Sequence, residues 1–508
     1  MTFARRPRRR SNEIPEFPNF CGGAYRLATD YASVDRALNC YPEILEKGPR
    51  AGKPRLVGIP GLRLFTVLPS GPIRCLWGGD NRLFAVAGST LWELTPLINN
   101  PLGAPINNGN VGPGPNPAII VSNGFQLCIA SGGALYIDAG ANAVPLIDTE
   151  GFPLTCATVA FQDQYFIAAY TNTKTVIISN LAPDGGTWDP GNEAEKEGYS
   201  DNIVRVWVDQ PGGEYLWLFG NQTTEVWMDT GGLFPFSRVQ SCVFPIGCDS
   251  AWSVAGAEGQ RFWLWNGVVW GASGFQPVRV SDFGVEQAIS TYSFYDQINA
   301  EAFCYIDGGH LFYVLSFPQS GATWVYDATM QSWHERWYLL NGQLTRYRPR
   351  VFATTYGLNF VGDYASGAVF IMDPTVYVDA PPVTNLAGPG VPLLRQRVCP
   401  YITDNMKNLR VNRLTVDAQV GVGLNVPKGQ PGYDPQAVLR YSKNRGETWS
   451  SQLSTSLGRQ GEYNKRVIYT QLGSSRIGWA AEYTVTDPVA FSVQGAEIDV
   501  SPSTWPRP

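Results

Sequence analysis

Two histidines, nine cysteines and one dense run of arginines are the side chains of this 508-residue chain with the most capacity for chemistry. His310 and His334 each stand beside aromatics in a stretch that reads as sheet, the setting of a packed imidazole. Neither falls into a nucleophile motif, and no HExxH, Walker loop, dinucleotide fingerprint or EF-hand occurs. Gly-rich stretches lie in hairpin turns without a following helix, so they offer no phosphate cradle. The cysteines, Cys21, Cys40, Cys75, Cys128, Cys156, Cys242, Cys248, Cys304 and Cys399, are scattered and odd in number. Only Cys242 and Cys248 lie close, without CxxC spacing or a histidine partner. They read as reduced thiols serving as small apolar residues, in a chain folded in a cytoplasm. No metal, cofactor or catalytic residue is expected. Arg5, Arg6, Arg8, Arg9 and Arg10 are candidates to contact DNA phosphates or an acidic partner, and read equally well as a plain basic tail.

The elements that would carry these residues are strands. A short apolar strand, a Gly- or Asn-bearing turn and a second strand centred on an aromatic recur along two thirds of the chain. Clear copies are 83–86 with 91–94, 127–130 with 135–137, 216–219 with 225–228, and 262–265 with 268–270. Weaker ones are 165–169 with 175–178, 311–315 with 323–326, and 358–361 with 368–371. Repeats of roughly 40–50 residues built from strands are the range of β-propeller blades. Leu311-Phe312-Tyr313-Val314-Leu315 is apolar at every position, as a sheet buried on both faces requires. The chain is therefore expected to be all-β, an irregular propeller of six or seven blades.

Residues 1–20, with the arginine run, read as a flexible basic arm. Residues 31–47 offer one short helix candidate. Residues 103–117, 184–202 and 373–390, rich in Gly, Pro, Asn or Asp, read as exposed loops. From about residue 376 the grammar changes: 409–420, 437–441, 466–469 and 480–485 alternate cleanly, as half-buried antiparallel strands do. The expected division is an arm at 1–20, a propeller at 21–375 and an antiparallel β domain at 376–508. Its last strand, 491–500, either belongs to that domain or returns to close the propeller.

Charge is divided too. Residues 51–394 carry 15 Lys/Arg against 28 Asp/Glu, a balance of −13, whereas residues 395–508 balance at +5 and residues 1–50 at +3. An acidic middle repels nucleic acid, and basic ends suit an anionic partner. No run of about 18 apolar residues occurs, so no transmembrane helix is expected. No apolar segment follows the basic N-terminus, so no secretory signal is expected either.

One local motif stands out. Ser442, Asn444, Gly446, Thr448 and Trp449 in Ser442-Lys443-Asn444-Arg445-Gly446-Glu447-Thr448-Trp449 resemble the Asp-box of sialidases and other propellers, with Asn444 in place of the usual aspartate. The box is a structural turn even in enzymes. Glycosidase chemistry would need a marked carboxylate pair or a tyrosine nucleophile with a charged clamp. Nothing marks one, so no enzyme is expected. A propeller that binds glycans or acts like a sialidase is the alternative reading, and a generic cellular interaction hub a third.

The order of further motifs resembles the tail hub or nozzle proteins of short-tailed bacteriophages, also called packaged-DNA stabilisation proteins. The resemblance runs from Leu38-Asn39-Cys40-Tyr41-Pro42-Glu43 and Leu56-Val57-Gly58-Ile59-Pro60-Gly61-Leu62 through Tyr215 to Trp227. It continues through Tyr441 to Trp449, Gly461 to Val467, Leu472-Gly473 with Arg476, and Asp487-Pro488-Val489 before Gly495-Ala496. It implies a homo-hexameric ring that continues the DNA channel below the portal and adaptor in the virion's short tail, made in the host bacterial cytoplasm. It also implies partners: the adaptor (head-to-tail connector), a tail needle or plug, tailspikes or tail fibres, and the double-stranded DNA passing through. The family offers no catalytic residues to carry over.

Overall fold

The computed structural model describes residues 15–502 except 28, 30–32, 101–102, 141, 210–212, 233 and 406. It divides into two units, one spanning Ile59–Leu393, the other joining the chain up to Gly58 with the chain from Leu394 onward.

Residues 59–393 form a propeller of seven blades, each a four-stranded antiparallel sheet. Blades 1 to 6 occupy residues 73–110, 119–145, 156–195, 203–244, 255–279 and 301–335. Blade 7 takes three strands from 349–373 and its outer strand from Gly61–Val67, which pairs with Ala368–Asp373. This early strand closes the ring, so the propeller joins its own ends. All seven hairpins anticipated from the sequence are the second and third strands of these blades.

Their apolar runs follow from burial on both faces. Trp217 and Leu218, adjacent in Tyr215–Gly220, are both fully buried. Trp217 packs with Trp263 of blade 5, and Leu218 with Ile167 of blade 3. Each such side chain contributes about 1.5–3 kcal/mol by leaving water. Register is set by tight turns. Trp265 faces Val268 across Asn266 (φ 53°) and Gly267 (φ 72°), a two-residue turn whose positive angles suit Asn-Gly. The first strands of the blades are innermost and contact one another around the axis, as Pro349–Thr355 does with Ile73–Gly79.

The second unit is a β-sandwich. One sheet orders Cys40–Ile44, Pro54–Gly58, Ser492–Pro502, Leu409–Ala418 and Val467–Thr470. The other orders Val34–Leu38, Arg395–Val398, Ala480–Val485, Gln436–Ser442 and Leu453–Ser456. The Tyr469 hydroxyl of the first donates to the Ala437 carbonyl of the second at 2.8 Å.

Several expectations are corrected here. The division at 375/376 differs from the structure: residues 21–58 group with the sandwich, because Val34–Leu38 pairs with Arg395–Val398 and Pro54–Gly58 with Ser492–Pro502. The last strand does not close the propeller; it pairs with Leu409–Ala418 along nearly its whole length. Residues 31–47 hold no helix among those described. Asn39 takes a left-handed φ of 52° between the strands Val34–Leu38 and Cys40–Ile44, and Pro42 lacks the N–H a helix would use. The arm expected over 1–20 is ordered at its end. Phe17 and Phe20 are buried, and Phe17 N donates to the Ala496 carbonyl at 2.7 Å. Of the three expected loops, 184–202 contains the outer strand Trp188–Glu195 of blade 3, whose fully buried Trp188 anchors it, and 103–117 contains Ile106–Asn110.

Candidate functional site

Both histidines sit inside blade 6. His310 Nδ1 lies 2.6 Å from Asp327 Oδ2, and its ring stacks on Phe312 with centroids 5.6 Å apart. His334 is fully buried, and its Nε2 accepts from Arg336 Nε at 3.3 Å. Burial first, then the Arg336 charge, holds the His334 pKa well below its ordinary value, so the ring is neutral. Arg336 in turn donates to the Tyr305 hydroxyl at 2.5 Å. This is a packed cation–aromatic cluster with neither imidazole presented to solvent.

All nine cysteines are free and buried. Burial pushes the thiols of Cys21, Cys40, Cys75, Cys156 and Cys248 up to about 12, far from the thiolate a nucleophile needs. Among the described residues no group of three His, Cys, Asp or Glu is arranged to hold a metal ion.

The Asp-box-like turn lies in the sandwich, after the strand Gln436–Ser442. Asn444 Oδ1 accepts from the Ser442 hydroxyl at 2.8 Å and from Thr448 N at 2.9 Å, while its Nδ2 donates to Thr448 Oγ1 at 3.0 Å. Ser442 Oγ also accepts from Gly446 N at 2.8 Å. Trp449 packs against the cluster of Val34, Val398 and Ala480. Asn444 Oδ1 accepts as an aspartate oxygen would, while its Nδ2 supplies a donor that an aspartate lacks. Arg5, Arg6, Arg8, Arg9 and Arg10 lie outside the described residues.

An open cavity of about 700 Å³ lies within the propeller, lined by innermost strands of blades 1, 2, 4, 5, 6 and 7. Its wall is apolar and aromatic, with Ile120, Trp207, Phe303 and Phe352, interrupted by a few charged groups. Two of these, Arg205 and Arg350, stand at β-bulges, as does Arg74 next to the lining residue Cys75. In blade 1 Ile73 pairs with Ala87 and Cys75 with Val86, which leaves Arg74 as the extra residue; Arg350 is extra in blade 7 in the same way, and Val204 precedes Arg205 in blade 4. A bulge re-aims the side chains beside it. Arg74 spends its donors on the Asn116, Gly88 and Gly112 carbonyls. Glu301, which lines the cavity, accepts from Arg350 Nε at 2.9 Å and from Arg346 Nη2 at 2.5 Å. Sequence reasoning missed this arginine set, since isolated arginines in strands carry no local signal.

The model of the bacteriophage P22 Gp10 β-propeller matches residues 29–377, and that of the P22 Gp10 β-sandwich matches residues 395–501. The chain belongs to the bacteriophage P22 Gp10 family. These are the tail hub or packaged-DNA stabilisation proteins of podoviruses, a structural family of the phage tail. None of the curated proteins matches the chain. Solved structures resemble it at a low level. The computationally designed Ika8 protein is 10% identical over 61% of this chain and 99% of its own, with a TM-score of 0.37. The extracellular domain of the BT4673 one-component system of B. thetaiotaomicron is 10% identical over 83% of this chain and 58% of its own, at 0.39. The N-terminal domain of Nup159 is 11% identical over 66% and 98%, at 0.35. The Gp10-family assignment rests on none of them.

Proposed function

We propose that this chain is the tail hub, or nozzle, of a short-tailed phage. Six copies form a ring that continues the DNA channel below the portal and adaptor and retains packaged DNA until ejection. The observation that carries the reading is the family match, which spans both the propeller and the sandwich in order. The histidines and thiols reported above are buried in blade and sandwich cores, which suits a scaffold. The ring docks the adaptor above, a needle or plug at its lower opening, and tailspikes or fibres at its flank. It is made in the host bacterial cytoplasm and resides in the virion's tail. The balance of −13 over residues 51–394 suits a wall past which a duplex must slide, since carboxylates facing phosphates repel over a Debye length of about 8 Å. Arg5 to Arg10 would contact phosphates or an acidic partner groove.

DNA retention tests the reading. Heads packaged in the absence of this chain should leak nuclease-sensitive DNA, and purified chain added back should restore protection. Equal retention with and without it would refute the proposal.

A further inference from the structure

Arg205 differs from Arg350, the other arginine lining the propeller's axial cavity, and from Arg74 and Arg346, which stand beside the lining residues Cys75 and Glu301. Arg74 is held by three backbone carbonyls, and Arg346 and Arg350 by Glu301. Arg205 is only 8% exposed, lines the cavity, and makes no hydrogen bond or ion pair among the described residues; its Nε is buried without a partner there. Its one close polar contact is the Trp207 ring, 5.4 Å from Cζ, which satisfies no N–H. The two carboxylates lining the cavity do not serve it. Glu301 is taken by Arg346 and Arg350, and Glu258 stands on an exposed turn. Burial lowers the Arg205 guanidinium to about 10, opposed only by the Cys248 and Cys75 thiols, and leaves it charged at neutral pH.

Only the Arg205 Nε is buried without a partner; the two terminal nitrogens carry no hydrogen bond to the described residues and are open to the cavity, and folded proteins pair such groups. The fold aims this one deliberately. The bulge at Val204 puts Arg205 and Trp207 on one face of Ile203–Val208, while Val206 and Val208 pack into the core between blades 3 and 4. The remaining wall supplies aromatic surface from Trp252, Phe303 and Phe352. A cavity of about 700 Å³ with a largely apolar wall, in which Glu301 and Arg350 are paired with each other and Arg205 is paired with no described residue, falls within the size range of small-molecule sites.

We propose that the axial cavity binds a small organic oxyanion, a carboxylate or phosphate group on an aromatic or apolar body, with Arg205 as the anchor of its charged end. The guanidinium fork matches either head in bidentate fashion, and the aromatic wall takes the body. The site lies within one propeller and does not depend on ring assembly, so its failure would leave the tail reading intact.

Calorimetric titration and thermal shift of the full chain with phenyl phosphate, benzoate and inorganic phosphate test it. At least one aromatic oxyanion should bind saturably and raise the melting temperature, with inorganic phosphate at least about tenfold weaker for want of the body. Arg205→Met should weaken binding roughly ten- to a hundredfold, the worth of a charged hydrogen-bonded contact. The same variant without ligand should melt no lower than the wild type, because it removes an unpaired buried charge. Arg205→Lys, which keeps charge but loses the fork, should bind at intermediate strength. The proposal is overturned if neither aromatic oxyanion binds the wild type, if Arg205→Met binds as the wild type does, or if phosphate alone binds as tightly as phenyl phosphate.

Discussion

Glu301→Gln should destabilise the propeller more than any neighbouring charge change. Glu301 is 5% exposed and accepts from Arg350 through Nε at 2.9 Å and Nη2 at 2.5 Å, and from Arg346 Nη2 at 2.5 Å. Glutamine keeps one carbonyl oxygen for Arg350 but turns an amide N–H₂ toward Arg346, donor against donor. Removing one member of a buried charge set costs about 3–5 kcal/mol, mostly from the charge left uncompensated. The lower end applies here. Arg350 keeps its bond to the Pro115 carbonyl at 2.6 Å, and Arg346 keeps its place over the Tyr364 ring, 4.3 Å from its centroid. The expected loss is therefore about 3 kcal/mol, a fall of roughly 5 °C in the melting temperature of a unit of this size. Urea unfolding followed by tryptophan fluorescence, paired with scanning calorimetry, measures it. Arg205→Met is the built-in contrast, since it removes an arginine with no counter-charge and should be neutral or stabilising. A Glu301→Gln variant within about 1 kcal/mol of the wild type, or an Arg205→Met variant that loses more than Glu301→Gln, would refute the assignment of paired and unpaired arginines.

Acid sensitivity should trace partly to Asp201, in the link just before blade 4. Burial opposes its charge, but the Lys196 ammonium, the Gln222 and Thr223 amides and the Thr223 hydroxyl outweigh burial and hold its pKa below the usual aspartate value. A lowered folded pKa gives stability that is present above the unfolded value, about 3.9, and lost as pH falls through the folded one. Asp201→Asn should flatten the stability–pH curve in that acid range, and an unchanged slope would contradict it. The nine thiols should resist iodoacetamide at pH 8 in the native protein and all react in guanidinium, as mass spectrometry would show; rapid native labelling would contradict their burial. If Arg5, Arg6, Arg8, Arg9 and Arg10 all contact DNA phosphates, changing them to glutamine should reduce the slope of log K against log salt by about 4–5. An unchanged slope in anisotropy titrations would remove the run from DNA binding.

The blade centres were legible because a strand buried on both faces has one local solution, a continuous apolar run such as Leu216–Phe219 ending in a turn. Strands whose burial depends on distant partners were not. Gly61–Val67 reads as an unremarkable segment until it meets Ala368–Asp373, some three hundred residues away, and only that pairing makes it the closing strand. Trp188–Glu195 hides behind its Asp, Gly and Glu residues because an outer strand needs only one buried face, here signalled by Trp188 alone. Val34–Leu38 mimics a helix turn in composition, and the left-handed Asn39 that breaks it has no strong sequence mark. The sandwich strands alternated visibly, but the partner they took from residues 34–58 was a tertiary choice. Arg205 was invisible for a related reason: its isolation is a property of the cavity and of the bulge at Val204, neither of which the residues around it encode.

Ring formation on the head-to-tail machinery is the most direct measure of the central proposal. Electron cryo-microscopy of the purified chain, alone and mixed with portal and adaptor proteins, should reveal six copies in a closed ring seated on the adaptor. Mostly acidic or neutral side chains should line its bore. A stable monomer that ignores the adaptor, or a ring whose bore is lined by lysines, would contradict it.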